Sequence, residues 1–190
     1  MTARAPLAPG PWADTGLVIR PATTADLRRL QEIESAAGEL FRGIGMDAIA
    51  DDPPPTAEQL QSYMAGGTAW VATGPEGDAV GYILVEVHGG WAHIEQVTVH
   101  PDHGRRGIGA ALIGHVDRWA AEQGLDQLSL TTFRDVPWNA PYYKRLGFRH
   151  LPATEAPSWL QGVMEREEKH GLAAWPRTAM TRTRAAHPPA

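Results

Sequence analysis

A chain of 190 residues, 43% hydrophobic and 21% charged, has globular rather than disordered composition and is long enough for one sizeable core. The absence of cysteine excludes disulfide frameworks, thiolate zinc sites and a cysteine nucleophile. A formal net charge of −5 argues against a nucleic-acid partner, whose binding draws on clustered Lys and Arg, and suits a cationic small substrate better.

No apolar run approaches the ~20 residues that span a bilayer, and Met1-Thr2-Ala3-Arg4-Ala5-Pro6 lacks the apolar stretch of a secretory leader. The expectation is a cytoplasmic protein with no membrane partner. Residues 1–16 and 184–190 read as flexible ends around a single domain over 17–183.

Residues 17–20 read as a strand. Thr23 and Asp26 then mark a helix start, and Leu27, Leu30, Ile33 and Ala37 fall on one helical face. Asp51, Asp52 and the prolines at 53 to 55 make a stiff loop between helices, and Thr56 with Gln59 has capping-box spacing. Three β-rich runs follow at 68–73, 79–88 and 91–100, and their short Gly-containing connections predict antiparallel hairpins.

From 108 to 123 the stripe Ile108, Ala111, Leu112, Val116, Trp119 and Ala120 predicts an amphipathic helix, stopped by Gly124. Leu128, Leu130 and Thr132 alternate as a strand that a helical crossover sets parallel to 91–100. A short helix at 142–146 closes at Gly147, and Phe148 opens another strand. Ser158 with Gln161 opens a further helix ended by Gly171, and Pro176 precedes a last strand at 177–182. The order predicts an α/β fold: a mixed sheet with helices on its faces.

The chemistry concentrates between 95 and 113. A strand ends at Val99, a turn follows, and Gly104-Arg105-Arg106-Gly107-Ile108-Gly109 runs straight into the long helix. Glycines let the backbone approach an anion, and the first helical turn presents unpaired N–H groups and a partial positive charge to it. A P-loop needs Gly-Lys followed by Ser or Thr, which is missing. A dinucleotide fingerprint needs a third glycine where Leu112 stands.

The string Ile94-Glu95-Gln96-Val97-Thr98-Val99-His100-Pro101-Asp102-His103-Gly104-Arg105-Arg106-Gly107-Ile108-Gly109-Ala110-Ala111-Leu112-Ile113 resembles the acetyl-CoA-binding motif of the GNAT superfamily of N-acetyltransferases. Asn139-Ala140-Pro141-Tyr142-Tyr143-Lys144-Arg145-Leu146-Gly147-Phe148 resembles a later motif of the same family. The resemblance extends over the element order from Leu17 to Phe148. It implies a GNAT-like acyl-CoA N-acyltransferase fold, whose central sheet is mostly antiparallel with one splayed parallel strand pair. One departure is Gly104, where the family usually has Gln or Arg. Since backbone N–H groups hold a pyrophosphate, the cradle survives that change.

The same resemblance implies acetyl-CoA as co-substrate and no metal. The strand 97–99, with Val97, Thr98 and Val99, would pair its backbone with the amide-bearing arm of CoA. The N–H groups of Arg105, Arg106, Gly107, Ile108, Gly109 and Ala110 would take the pyrophosphate, with Asn139 and Tyr142 on the other side of the cofactor. Two readings of Asn139 stand, a CoA contact or a helix cap. Likewise Val97 and Val99 are either cofactor-binding or core.

Acetyl transfer needs a neutral amine, while an alkyl ammonium has a pKa of ~10.4. Glu95 is the candidate base, alone or through water, because 95, 97 and 99 share one strand face by alternation, with His93 beside them. Tyr143 is implied as the donor to the departing thiolate. A phenol of pKa ~10 is a poorer acid than a thiol of ~8.5, so a hydrogen bond suits that role better than full proton transfer. A main-chain N–H near Val97 would meet the developing oxyanion. The opposing readings are an exposed strand carboxylate for Glu95 and a packing ring for Tyr143.

The resemblance implies a small-molecule or peptide amine as acceptor. Glu34, Glu39, Phe41, Trp159 and Trp175 are the residues of the acceptor-side segments able to recognise a cation, although Trp159 and Trp175 equally suit a core. The histidines show no ligand spacing for a metal. The alternative function is a non-catalytic acetyl-CoA-binding regulatory module. Arg105, Arg106, Lys144 and Arg145 are assigned to CoA phosphates rather than nucleic acid. The sequence leaves room for a homodimer.

Overall fold

Local signals set most of the elements. In the computed structural model, which describes residues 16–169 and 174–183, Thr23 stands at the expected helix start and forms a capping box with Asp26, and a short 3-10 turn there leads into α1 (Leu27–Arg42). Thr56 and Gln59 form a second box, through Gln59 N to Thr56 Oγ1 at 3.2 Å and Thr56 N to Gln59 Oε1 at 2.8 Å, opening α3 (Ala57–Ala65). Each box satisfies donors that the first helical turn leaves without partners.

A helix α2 (Asp47–Ala50) lies between α1 and α3 where the sequence predicts none. Its four residues are too few to show helical periodicity. Arg42, at the end of α1, fastens the region through Glu39, Asp47 and Asp51.

The strands are β1 (Val18–Pro21), β2 (Ala69–Thr73), β3 (Ala79–His88), β4 (Trp91–Val99), β5 (Gln127–Phe133), β6 (Arg149–His150) and β7 (Arg177–Thr183). They form one sheet in the order β1-β2-β3-β4-β5-β7-β6. It is mostly antiparallel with one parallel pair, as expected. That pair is β4 with β5, joined by α4 (Ile108–Glu122). Its register runs from Trp91 with Gln127 to Ile94 with Leu130. Beyond it, β4 goes on to Val99 and β5 to Phe133 outside that register. β7 enters between β5 and β6, antiparallel to both. The remaining helices are α5 (Ala140–Arg145) and α6 (Ser158–Lys169).

The chain gathers into two compact units, residues 1–84 with 96–116, and 85–95 with 117–190. In the first, Leu30 and Ile33 of α1, Leu60 of α3, Val71 of β2 and Tyr82 and Leu84 of β3 share a buried cluster. In the second, Leu160 and Val163 of α6 pack with Leu151, Ala156 and Ala179, and Trp91 and Trp159 lie against them. The expected flexible ends, 1–16 except for Gly16 and 184–190, and Gly171 as a helix stop, lie outside the described residues.

Candidate functional site

Gly104 closes a short 3-10 turn, Pro101–His103, by donating its N–H to the Pro101 carbonyl at 2.9 Å. A Cβ at Gly104 would stand 3.0 Å from that same oxygen, so the turn is built around a glycine. Arg105 and Gly107 then both take positive φ, 59° and 80°. The first helical donation comes from Ala111, to the Gly107 carbonyl at 2.9 Å. The six N–H groups from Arg105 to Ala110 find no acceptor among the described residues. That is a run of donors at a helix start, where a diphosphate would be held. Beside it, His103 has a lowered pKa, from burial first and then from the Arg106 charge.

Val97 and Val99 are half-buried, and Thr98 is buried. The Thr98 side chain is engaged, since its hydroxyl donates to Glu34 at 2.8 Å. Glu34 also accepts from Gln96 Nε2 at 2.9 Å and from the Tyr82 hydroxyl at 2.5 Å. The sequence marked Glu34 as one of the acceptor-side residues able to recognise a cation, whereas here its carboxylate is occupied by three neutral donors of the protein. Its partners Tyr82 and Gln96 carry no signal in the sequence, because they lie far along the chain from it.

In the second unit Glu95 is 43% exposed, and its pKa is raised by burial first and then by the Glu86 and Glu167 carboxylates. A raised carboxylate is a stronger base. His93 is buried, its Nδ1 is 3.0 Å from Ser129 Oγ, and burial pushes its pKa down to about 4. His93 is therefore neutral near pH 7, and its Nε2, 3.7 Å from Glu95 Oε2, makes a polar contact rather than an ion pair.

Tyr143 is half-buried between Tyr142 and Phe148, with ring centroids 5.4 and 6.0 Å away. Burial raises its pKa, so the phenol keeps its proton, and its hydroxyl has no hydrogen-bond partner among the described residues. Burial raises the Tyr142 pKa as well, and Arg145 stands 5.7 Å from that ring.

Asn139 does both less and more than a cap. Its main-chain carbonyl accepts from Tyr142 and Tyr143 at the start of α5, but its side chain makes no capping bond. Nδ2 goes to Thr132 on β5 at 2.8 Å instead, and the buried Oδ1 has no partner among the described residues. A buried acceptor in that state wants a donor.

Of the residues expected on the acceptor side, Glu39 is exposed and paired with Arg42. Trp159 stacks on His88 with centroids 4.3 Å apart. Among the described residues no group of three or more His, Cys, Asp or Glu could hold a metal, and no helix is long and apolar enough to cross a membrane.

A family model described as the acetyltransferase (GNAT) family matches residues 30–148, more than half of the chain. The chain belongs to the GNAT family of acetyltransferases. This GNAT chain also has the fold of several solved structures. The Rv2747 protein of Mycobacterium tuberculosis, in complex with CoA and NLQ, is 20% identical, with a TM-score of 0.64 over 88% of this chain and 99% of that one. The PaiA N-acetyltransferase of Thermoplasma acidophilum, in complex with coenzyme A, is 13% identical, with a TM-score of 0.62 over 88% and 99%. Ard1 of Thermoplasma volcanium is 18% identical, with a TM-score of 0.66 over 90% and 99%. At such identities the likeness is one of fold.

Proposed function

We propose that this GNAT protein moves an acetyl group from acetyl-CoA to a primary amine of a small molecule or peptide, by direct attack while both are bound. The observation that carries this reading is the run of six N–H groups without acceptors from Arg105 to Ala110, held open by positive φ at Arg105 and Gly107. Further support comes from the CoA in the complexes of Rv2747 and PaiA.

The residues present fit that co-substrate. The amides 105–110 would hold its diphosphate and the main chain of Val97 and Val99 would take its amide-bearing arm, and in the second unit the buried Asn139 Oδ1 is an acceptor left open to a donor. When bound, acetyl-CoA supplies a thioester carbonyl open to attack by an amine. Glu95, with its raised pKa, takes the proton from the amine directly or through one water. Tyr143 stays protonated and donates a hydrogen bond to the departing sulfur. The N–H near Val97 faces the carbonyl oxygen as charge builds there.

The test supplies acetyl-CoA with polyamines, aminoglycosides, amino acids and peptide N-termini, and measures free thiol and calorimetric CoA binding. Thiol release with one class of amine is the expected result. Tight CoA binding with no release for any amine marks a binding module instead, and absence of CoA binding overturns the reading altogether.

A further inference from the structure

Glu34 sits in the middle of α1, on a helix whose neighbouring core positions, Leu30 and Ile33, are almost fully buried. Glu34 itself is half-buried, and a carboxylate drawn out of water is costly unless it is hydrogen-bonded. The structure compensates with three neutral donors: the Tyr82 hydroxyl on β3, and Gln96 Nε2 and the Thr98 hydroxyl on β4. Gln96 Nε2 also reaches Thr98 Oγ1 at 2.7 Å. Burial still pushes the Glu34 pKa up, against the pull of the three bonds.

The two β4 donors lie on either side of Val97 in sequence. They belong to the stretch of β4 that follows Ile94, the last residue registered with β5. This stretch has lost its parallel partner but keeps its tie to β3, where the His100 N–H donates to the Val80 carbonyl at 2.9 Å. Strand ends with pairing on one side fray more readily than doubly paired ones. The Glu34 carboxylate supplies a second anchor through side chains.

We propose that Glu34 is a positioning residue, whose carboxylate grips Gln96 and Thr98 and so holds the main chain of Val97 and Val99 in the shape that receives the CoA arm. The role rests on the reading that these two residues bind acetyl-CoA. No chemical step passes through Glu34. Its contribution is to keep donors and acceptors fixed before the ligand arrives, which lowers the ordering cost of binding.

The experiment compares wild type, Glu34→Gln and Tyr82→Phe as full-length chains, by amide hydrogen exchange without ligand, by acetyl-CoA calorimetry and by steady-state kinetics. Glu34→Gln places an amide N–H₂ against at least one donor. It is expected to speed exchange at Val97 and Val99 and to weaken acetyl-CoA binding roughly three- to tenfold, the scale of one ordinary hydrogen bond lost. The KM for the amine stays as it was. Tyr82→Phe keeps both β4 bonds to Glu34, and shifts the same quantities less.

A purely structural role lowers the melting temperature and leaves acetyl-CoA affinity intact, and that result overturns the proposal. If Glu34→Gln does not fold, Thr98→Val decides the matter by the same readouts. Failure of wild type to bind acetyl-CoA sinks the proposed function, and this role with it. Normal wild-type binding with unchanged variants sinks this role alone.

Discussion

His93 Nε2 stands 3.7 Å from Glu95 Oε2, two residues along the same strand, and the two groups have opposite pKa displacements. Burial lowers the imidazole to about 4, while burial and the neighbouring Glu86 and Glu167 raise the carboxylate. Between those effects the pair contains a neutral imidazole and a carboxylate of increased basicity. If Glu95 is the base, as proposed, the acid limb of kcat is expected to follow it and to lie above its ordinary 4.5. Glu95→Gln is expected to remove that limb and to lower kcat by about 10²-fold or more, measured as initial rates across pH. A limb that survives in Glu95→Gln and vanishes in His93→Gln gives the base to the histidine.

Tyr143→Phe deletes a hydroxyl that has no hydrogen-bond partner among the described residues. The melting temperature should hardly move, whereas kcat should fall about tenfold, the worth of one hydrogen bond of roughly 1.4 kcal/mol made in the transition state. Unchanged kcat with lost stability identifies Tyr143 as a packing residue.

Gly81 on β3 faces β4 so closely that an added Cβ would lie 2.9 Å from the Thr98 carbonyl oxygen and 3.3 Å from Val99 Cα. Both are main-chain atoms, so the strand itself has to move. Gly81→Ala is expected to cost about 1–3 kcal/mol in urea unfolding and to weaken acetyl-CoA binding. Gly90→Ala is the control, because nothing lies within 4 Å of its Cβ position. Equal, small effects at both glycines contradict the close approach.

Two carboxylates of the first unit give stability opposite pH dependences. Asp26 has a pKa below its ordinary 3.8, chiefly through the hydrogen bond from Arg20, so its contribution is present above 3.8 and is lost as pH falls through the depressed value. Glu34 has a raised pKa from burial, so folding is favoured below its ordinary 4.5 and loses that favour as pH rises through the raised value. Asp26→Asn should lower stability near neutrality by about 1 kcal/mol, discounted because Arg20 is partly exposed, and should flatten the acid-side loss. Glu34→Gln should flatten the decline above 4.5. Urea unfolding at a series of pH values reads both slopes.

What could be read from the sequence was local. The helix start at Thr23, the box at Thr56, the hairpin glycines and the stop at Gly124 each act through residues a few positions apart. The same is true of the turn from Gly104 to Gly109, because a diphosphate cradle is made from consecutive N–H groups and its geometry is written in consecutive residues. The parallel pairing of β4 with β5 followed from the handed helical crossover between them. Asn139 could not be decided in this way. Its choice between capping α5 and bonding Thr132 depends on where β5 runs.

The sequence by itself therefore determined the strands, the longer helices and the family, and it marked the turn at 104–109. Only the tertiary structure decided that Glu34 meets Gln96 and Thr98, that His93 is neutral, and that β7 inserts between β5 and β6. Periodicity tells which face of an element is apolar, but not which distant polar group will lie against it. Desolvation, which sets the pKa values of Glu34, His93 and Glu95, comes into being when the elements pack.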